Sequence, residues 1–206
     1  MGALAVPLAA QAQTAEVSEQ DKTFLTGQQE TNLAEISLGK TVMEKATNEK
    51  VRELASHLVS GHEAVSKENT ALSQRLGVTP PTEPSAEQKA TAAKILAQSG
   101  AAFDLAYVTA QVEGHMKSID KANKEISSGS NPEVKAFATS YVPKAQSHLD
   151  MSREVQAALS GTQTAGATDL PRTGGSVGPL AGFGILVSLL GLGAIRLSRR
   201  SASAPS

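Results

Sequence analysis

Three histidines and one glutamate occupy the positions of this sequence that could do chemistry inside a folded domain. His62, His115 and His148 recur with apolar residues at spacings of three and four, which predicts that they lie on the buried faces of three different helices. Glu35 belongs to a fourth helical segment. A buried polar group without a partner costs about 1–3 kcal/mol, so these side chains must bond to one another, to water or to a metal ion.

The distances from the nearest turns predict that these four side chains lie at a similar height. Each is roughly 12–17 residues from the turn that joins its helix to the next, and at 1.5 Å per residue the heights differ by only about 3–5 Å. Neutral imidazoles and one carboxylate suit Zn, Fe, Cu or Ni. The alternative is a hydrogen-bonded polar layer in which Glu35 pairs with one or two of the histidines.

Residues on the third helix could support such a site. Asp104, Tyr107 and Gln111 are candidate hydrogen-bond partners for the ligands, provided that their side of the helix turns inward. Carboxylate-bridged di-iron sites use the pattern Glu-x-x-His twice. The residues three positions before the buried histidines are Val59, Val112 and Ala145, which argues against ferroxidase chemistry.

The composition excludes several other classes of site. The chain has 206 residues and no Cys, so a disulfide framework, a Cys-ligated zinc ion and a thiol nucleophile are ruled out. Aromatic residues make up 3% of the chain and the formal net charge is -1, which argues against a nucleic-acid partner. The candidate ligands are therefore histidine and carboxylate side chains.

The segments that carry these ligands are predicted to be helices. Apolar residues in 20–159 repeat with helical periodicity, which predicts four helices of about 27–30 residues. Short links near 47–48 and 128–131 pair the helices as antiparallel hairpins. The link at 77–100 is long and contains a short helix near 86–98. We therefore expect an all-α, ferritin-like four-helix bundle with a long connection between helices two and three, rather than a simple up-down bundle.

Four segments of this bundle resemble one protein family. They are EISLGK at 35–40, LVSGHEAVS at 58–66, FDLAYV at 103–108 and VKAFATSYVPKAQSHL at 134–149. Together they are similar to domain-of-unknown-function family 4142. The resemblance covers about residues 20–159 and implies a ferritin-like fold and an exported bacterial protein. It implies no activity, because the family has no settled one.

The C-terminal region, 170–206, resembles the cell-wall sorting signal of Gram-positive surface proteins. Its motif, LPxTG, is matched by Leu170, Pro171, Arg172, Thr173 and Gly174. What the resemblance implies is a sortase substrate: the enzyme's cysteine attacks the Thr173 carbonyl, releases Gly174 onward and passes the chain to a peptidoglycan amine. Pro171 favours the extended backbone that such a recognition motif needs.

The residues after the motif fit this signal. The apolar run at about 177–197 is near the ~20 residues that span a bilayer, which predicts one C-terminal transmembrane helix. Arg196, Arg199 and Arg200 follow the positive-inside rule, so we expect a cytoplasmic C-terminus before sorting. The small polar residues 160–169 predict a flexible linker that gives the sortase access.

Residues 1–12 resemble the end of a secretory signal peptide. The segment is apolar and finishes with Ala10-Gln11-Ala12, a small-x-small cleavage pattern. Lys22 is the first basic residue, so the expected positive region is missing. One interpretation places the true start upstream of Met1, and the other makes the segment an ordinary alanine-rich arm.

These features predict a non-enzymatic protein of the cell surface, anchored to the cell wall by a sortase. In this interpretation the bundle is a binding or structural module. The alternative is a metal-binding module for storage or redox chemistry that uses Glu35, His62, His115 and His148. A third hypothesis, a plain spacer, makes the buried histidines dispensable.

Overall fold

Residues 16–166 are the part of the chain that the computed structural model describes. They form five α-helices and no strand, which confirms the all-α prediction for this region. The helices are α1 (Glu19–Lys45), α2 (Glu49–Arg75), α3 (Ala86–Leu96), α4 (Gly100–Ser128) and α5 (Pro132–Gly166). The expected signal-peptide remnant at 1–12 and the sorting signal at 170–206 lie outside the described residues.

Four of these five helices begin at residues whose side chains accept from free backbone N–H groups, and α4 begins at Ser99 without such a cap. Ser18 accepts from the backbone N–H of Asp21, whose carboxylate in turn accepts from the backbone N–H of Ser18. Ser85 and Gln88 form the same reciprocal pair at the start of α3. Asn48 caps α2 through the N–H of Lys50. Such caps fix where these helices begin.

The four long helices pack as two hairpins. α1 lies against α2, and α4 lies against α5, as the short links at 46–48 and 129–131 require. Contacts of α2 with α5 and of α1 with α4 join the hairpins. The long link contains the short helix that its sequence predicts, and this α3 touches α1 and α4.

Apolar side chains form two separate clusters among the described residues. The first includes Phe24, Leu25, Val134 and Phe137, near the start of α1 and the α4–α5 turn. The second surrounds Val42 and the α1–α2 turn and includes these further residues: Val51, Leu54, Phe103 and Tyr107. The middle of the bundle, between the clusters, is where the buried polar side chains concentrate.

A buried aspartate ties each hairpin to the turn of the other. Asp104 of α4 accepts from the N–H and hydroxyl of Thr47 and the N–H of Asn48 in the α1–α2 turn, at 2.5–3.2 Å. Asp21 of α1 accepts from the N–H groups of Ser130 and Asn131 in the α4–α5 turn, at 3.0–3.3 Å. The two aspartates therefore hold the hairpins together at opposite ends of the bundle.

Asp21 also faces a second buried carboxyl group, that of Glu125. Burial raises the pKa of Glu125, and the hydrogen bond to Asp21 raises it further, to about 7. Burial alone would also raise the pKa of Asp21, but hydrogen bonds from Ser18, Glu125 and Asn131 lower it to about 2. The shared proton therefore resides on Glu125, which donates it to the Asp21 carboxylate.

This pair makes stability depend on pH. The folded state holds the Glu125 proton more tightly than the unfolded chain, so its stabilising effect is complete below pH 4.5 and is lost as the pH rises to about 7. Glu125→Gln keeps a neutral donor at every pH. We expect the variant to match the wild type at pH 4.5 and to exceed it by about 2 kcal/mol at pH 8, or about 4–8 °C in melting temperature.

Thermal unfolding followed by circular dichroism at both pH values measures this gap. Glu113→Gln, on the exposed face of the same helix, is the control and leaves the pH dependence as in the wild type. A gap between Glu125→Gln and wild type that is equal at the two pH values would contradict the assignment of the proton.

The last helix is longer than its sequence predicts. α5 continues to Gly166, so part of the segment expected to be a flexible linker, 160–169, is helical. Residues 160–166 contain no proline that would break the helix after Leu159. Among residues 16–166, no helix combines the length and apolarity needed to cross a membrane. The predicted span at 177–197 lies beyond them.

Candidate metal site

The three histidines singled out by the sequence come together in the middle of the bundle. His62 of α2, His115 of α4 and His148 of α5 are 1%, 2% and 6% exposed. Each offers a nitrogen atom, and these three atoms lie within 4.8 Å of one another. The ring centroids are 5.2–5.6 Å apart. We call these residues the three-histidine cluster.

Carbonyl oxygens orient two of the rings. Nδ1 of His62 lies 3.0 Å from Oδ1 of Asn32, and Nδ1 of His115 lies 2.8 Å from the backbone oxygen of Gln111. Because carbonyl oxygens only accept, each Nδ1 carries the proton and each Nε2 keeps its lone pair. Oδ1 of Asn32 also accepts from Gln28, which is consistent with this amide orientation. Metal-binding histidines usually donate to such an acceptor.

The tautomer of His148 follows from that of His115. Nδ1 of His148 lies 3.3 Å from Nε2 of His115 and donates to its lone pair. Nε2 of His148 therefore has a free lone pair, and it faces the backbone of α2 at Gly61. Nε2 of His62 is buried without a hydrogen-bond partner. His62 and His115 thus hold the tautomer in which Nε2 is the potential metal ligand, whereas the nitrogen that His148 turns toward the cluster is Nδ1.

The environment keeps two of the imidazoles neutral. Burial, together with His115 and His148, holds the pKa of His62 well below its ordinary value of 6.5. Burial, His115 and His57 lower the pKa of His148 to about 4. A metal ion binds only the neutral imidazole, so these rings need not lose a proton on binding at neutral pH.

Glu35 lies beside the cluster but outside its set of ligand atoms. Its side chain is half-buried, and its Oε2 is inaccessible to solvent and has no hydrogen-bond partner. Burial raises the pKa of Glu35, against the opposing effects of His115 and a hydrogen bond from Gln111. Gln111 therefore links Glu35 to the three-histidine cluster. Its side chain donates to Glu35, and its backbone oxygen accepts from Nδ1 of His115.

The other two candidate partners have different surroundings. Asp104 uses its carboxylate at the α1–α2 turn, where Thr47 and Asn48 donate to it. Tyr107 is fully buried and its hydroxyl has no partner. Burial and the nearby Glu35 raise the pKa of Tyr107 well above 10.0. Of the three predicted support residues, Gln111 is the one that bonds to a histidine of the cluster.

Sequence reasoning overlooked Asn32, Gly61 and the role of His57. The sequence does contain one signal, a repeat with a period of 83 residues that relates α1 to α4 and α2 to α5. It pairs Asp21 with Asp104, Gln28 with Gln111, Asn32 with His115 and Asn48 with Asn131. Because its repeat partner His115 lies in the buried polar layer, Asn32 is expected to lie in that layer too.

Gly61 leaves room for the His148 ring. A Cβ atom at this position would lie 2.6 Å from Nε2 of His148, so Gly61→Ala must displace the imidazole. We expect this variant to bind Zn²⁺ at least about tenfold more weakly, since misplacing a ligand resembles the loss of its supporting partner. Isothermal titration measures the change. Gly114→Ala is the matched control, because a Cβ atom there meets nothing within 4 Å. Equal affinities for the two variants would contradict the placement of His148.

The bundle and its centre define a class: an all-α helical domain built around a buried cluster of three histidines. The sequence matches the family described as Domain of unknown function (DUF4142) over residues 6–155. The chain belongs to that family, as its sequence motifs predict.

One solved structure has a similar fold. It is the crystal structure of a DUF305 fragment from Deinococcus radiodurans, with 16% sequence identity and a TM-score of 0.61. The match covers 69% of this chain and 98% of that chain. At this identity the likeness concerns the fold alone. No curated protein matches the sequence.

Proposed function

We propose that this protein is a metal-binding module that takes up one transition-metal ion in the three-histidine cluster. The observation that carries the proposal is the convergence of three buried histidine nitrogens within 4.8 Å on three different helices. Acceptors at Asn32 and Gln111 hold the Nδ1 protons of His62 and His115, so that Nε2 of each ring keeps its lone pair. Nε2 of His62 is buried without a hydrogen-bond partner, and coordination of a metal ion would offset the cost of about 1–3 kcal/mol.

The three imidazole ligands limit which metal ions the site is expected to bind. Three imidazoles suit Zn²⁺, Cu²⁺, Ni²⁺ or Fe²⁺, and a three-histidine zinc site leaves a fourth position open to water or another ligand. Glu35 lies close enough to His115 to interact with it electrostatically but belongs to no ligand group within the described part of the chain. Together with the absence of Glu-x-x-His pairs in the sequence, this favours a mononuclear ion over a carboxylate-bridged pair.

The scaffold that we propose for the site is a ferritin-like four-helix bundle of α1, α2, α4 and α5. The pairing of these helices as two hairpins, joined by a long link, supports this arrangement. Ligand sites of such bundles are built from facing helices in the core, as the three-histidine cluster is. The short α3 belongs to the link.

Elemental analysis of the untagged protein tests the proposal. We expect close to one equivalent of Zn²⁺ or another first-row metal per chain after purification or loading, and a blue colour on loading with Co²⁺ in tetrahedral coordination. Substoichiometric metal that is unaffected by His62→Ala would refute the proposal.

We further propose that this module is displayed outside the cell. The sorting motif, the apolar run at 177–197 and the basic tail support an exported protein that a sortase attaches to peptidoglycan after a transient membrane-spanning stage. The signal-peptide-like segment at 1–12 supports export. A surface location would give the cluster access to metal ions outside the cell.

Cell fractionation tests this location. In a host with a sortase, Thr173→Ala is expected to shift nearly all of the protein from the wall fraction to the membrane and medium, because the residue that forms the thioester is altered. Ser176→Ala, just past the motif, is the control and leaves attachment unchanged. Wall attachment of Thr173→Ala at the wild-type level would remove the sortase from the proposal.

A further inference from the structure

An exposed histidine lies directly on the buried cluster. His57 of α2 is solvent-exposed and does not belong to the three-histidine cluster. Its ring centroid is 5.7 Å from that of His148, and the two planes meet at 84°. A chain of imidazoles thus leads from the surface through His148 to His115 and His62.

The two ring nitrogens of His148 face in opposite directions, one toward the three-histidine cluster and one toward α2. Its Nδ1 faces inward and lies 3.3 Å from Nε2 of His115. Its Nε2 faces Gly61, which follows His57 by one turn on α2 and carries no side chain to cover the nitrogen. The free lone pair of His148 is therefore on the side of the helix that carries His57.

The surface around His57 suits a cation. A shallow depression of about 330 Å³ is lined by His57, Glu53, Glu154 and Met151, together with Lys50. Two carboxylates against one ammonium group raise the local concentration of cations. Imidazole, carboxylate and thioether groups are all ligands for transition metals.

We propose that His57 and Nε2 of His148 form the position at which a transition-metal ion is loaded from solvent into the three-histidine cluster. This inference rests on the proposed metal-binding function. The ion first bonds to both nitrogens at the edge of the depression, which His57 lines and His148 adjoins through its ring contact with His57. Rotation of the His148 ring then breaks its Nδ1 hydrogen bond to His115, which frees the lone pair on Nε2 of His115, and turns Nε2 of His148 inward with the ion. The bond of the ion to His57 is replaced there by bonds to Nε2 of His62 and of His115. Each ring keeps its Nδ1 proton, and the charge of the ion does not change.

Stopped-flow loading of the untagged, full-length protein with Co²⁺, followed by its visible absorption, tests this step. For His57→Ala we expect association at least about tenfold slower than wild type. Because a loading residue lowers the barrier in both directions, release to a chelator slows by the same factor and the dissociation constant stays the same. Ser56→Ala, which is exposed on the same helix, is the control and loads at the wild-type rate.

A second variant tests a competing route. A groove of about 560 Å³ beneath α3 reaches Glu35 and Gln111, and Gly114 also lines it. Gly114→Leu narrows this groove, since a side chain there enters open space. We expect its loading rate to equal that of the wild type. Slower loading of Gly114→Leu, with normal loading of His57→Ala, would assign the route to the groove and overturn the proposal.

The other possible results distinguish failure of the loading position from failure of the proposed metal-binding function. Unchanged rates for His57→Ala would overturn the loading position. A weaker dissociation constant with faster release would make His57 a resident ligand and overturn it as well. Wild-type protein that binds no Co²⁺ would instead refute the proposed function, and this is seen before any variant is measured.

Discussion

His115→Ala is expected to abolish the rise in melting temperature that Zn²⁺ gives the wild-type protein. Ligand that binds only the folded state at 1,000 times its dissociation constant stabilises by about 4 kcal/mol, which corresponds to about 8–16 °C for a domain of this size. His115 contributes one of the three nitrogens and accepts from a second ring, His148. Its removal takes away one ligand and frees another to reorient.

The informative quantity is the difference between melting temperatures with Zn²⁺ and with a chelator. His115→Ala also leaves Nδ1 of His148 without an acceptor, so it lowers stability in the absence of metal. Differential scanning calorimetry of each variant in both conditions separates the two effects. His57→Ala is the control and keeps the full shift, because the exposed ring is not a resident ligand. A full Zn²⁺-dependent shift in His115→Ala would show that the ion binds elsewhere.

Asp104→Ala is expected to destabilise the bundle by about 3 kcal/mol, because it leaves buried donors of the α1–α2 turn without an acceptor. The carboxylate accepts from the backbone N–H groups of both Thr47 and Asn48 and from the Thr47 hydroxyl. The melting temperature is expected to fall by about 6–12 °C. Thermal unfolding followed by circular dichroism measures this change.

Metal affinity distinguishes this role from one in the metal site. Asp104 is fully engaged at one end of the bundle, so we expect Asp104→Ala to bind Zn²⁺ as the wild type does once it is folded. Asp104→Asn keeps one acceptor oxygen and is expected to recover part of the lost stability. A tenfold loss of affinity in Asp104→Ala at unchanged melting temperature would instead place this residue among the supports of the ligands.

The periodicity of apolar residues predicted the helices, because burial of one face leaves a regular record in the sequence. The counting of residues from each turn likewise predicted that His62, His115 and His148 meet. That prediction needs only the rise per residue and two antiparallel hairpins. The convergence of the three histidine rings is therefore the part of the site that can be predicted from the sequence.

The surroundings of the rings were not predictable in the same way. The bond from His62 to Asn32, the room at Gly61 and the contact of His57 with His148 depend on which side chains meet across helices. Asp104 was expected to support the ligands, yet its carboxylate bonds to a turn. The 83-residue repeat would have indicated this, since Asp21 and Asp104 are partners in it and each bonds to a turn.

The sole covalent connection between the two hairpins, within the described residues, is the segment 76–99 that contains α3. A proteolytic nick there would split the domain into two pieces, with His62 on the first and both His115 and His148 on the second. A metal ion would then act as a crosslink between separate polypeptides. The apolar clusters and the bonds of Asp21 and Asp104 would still join the two pieces, and the ion would strengthen an association that chelation would weaken.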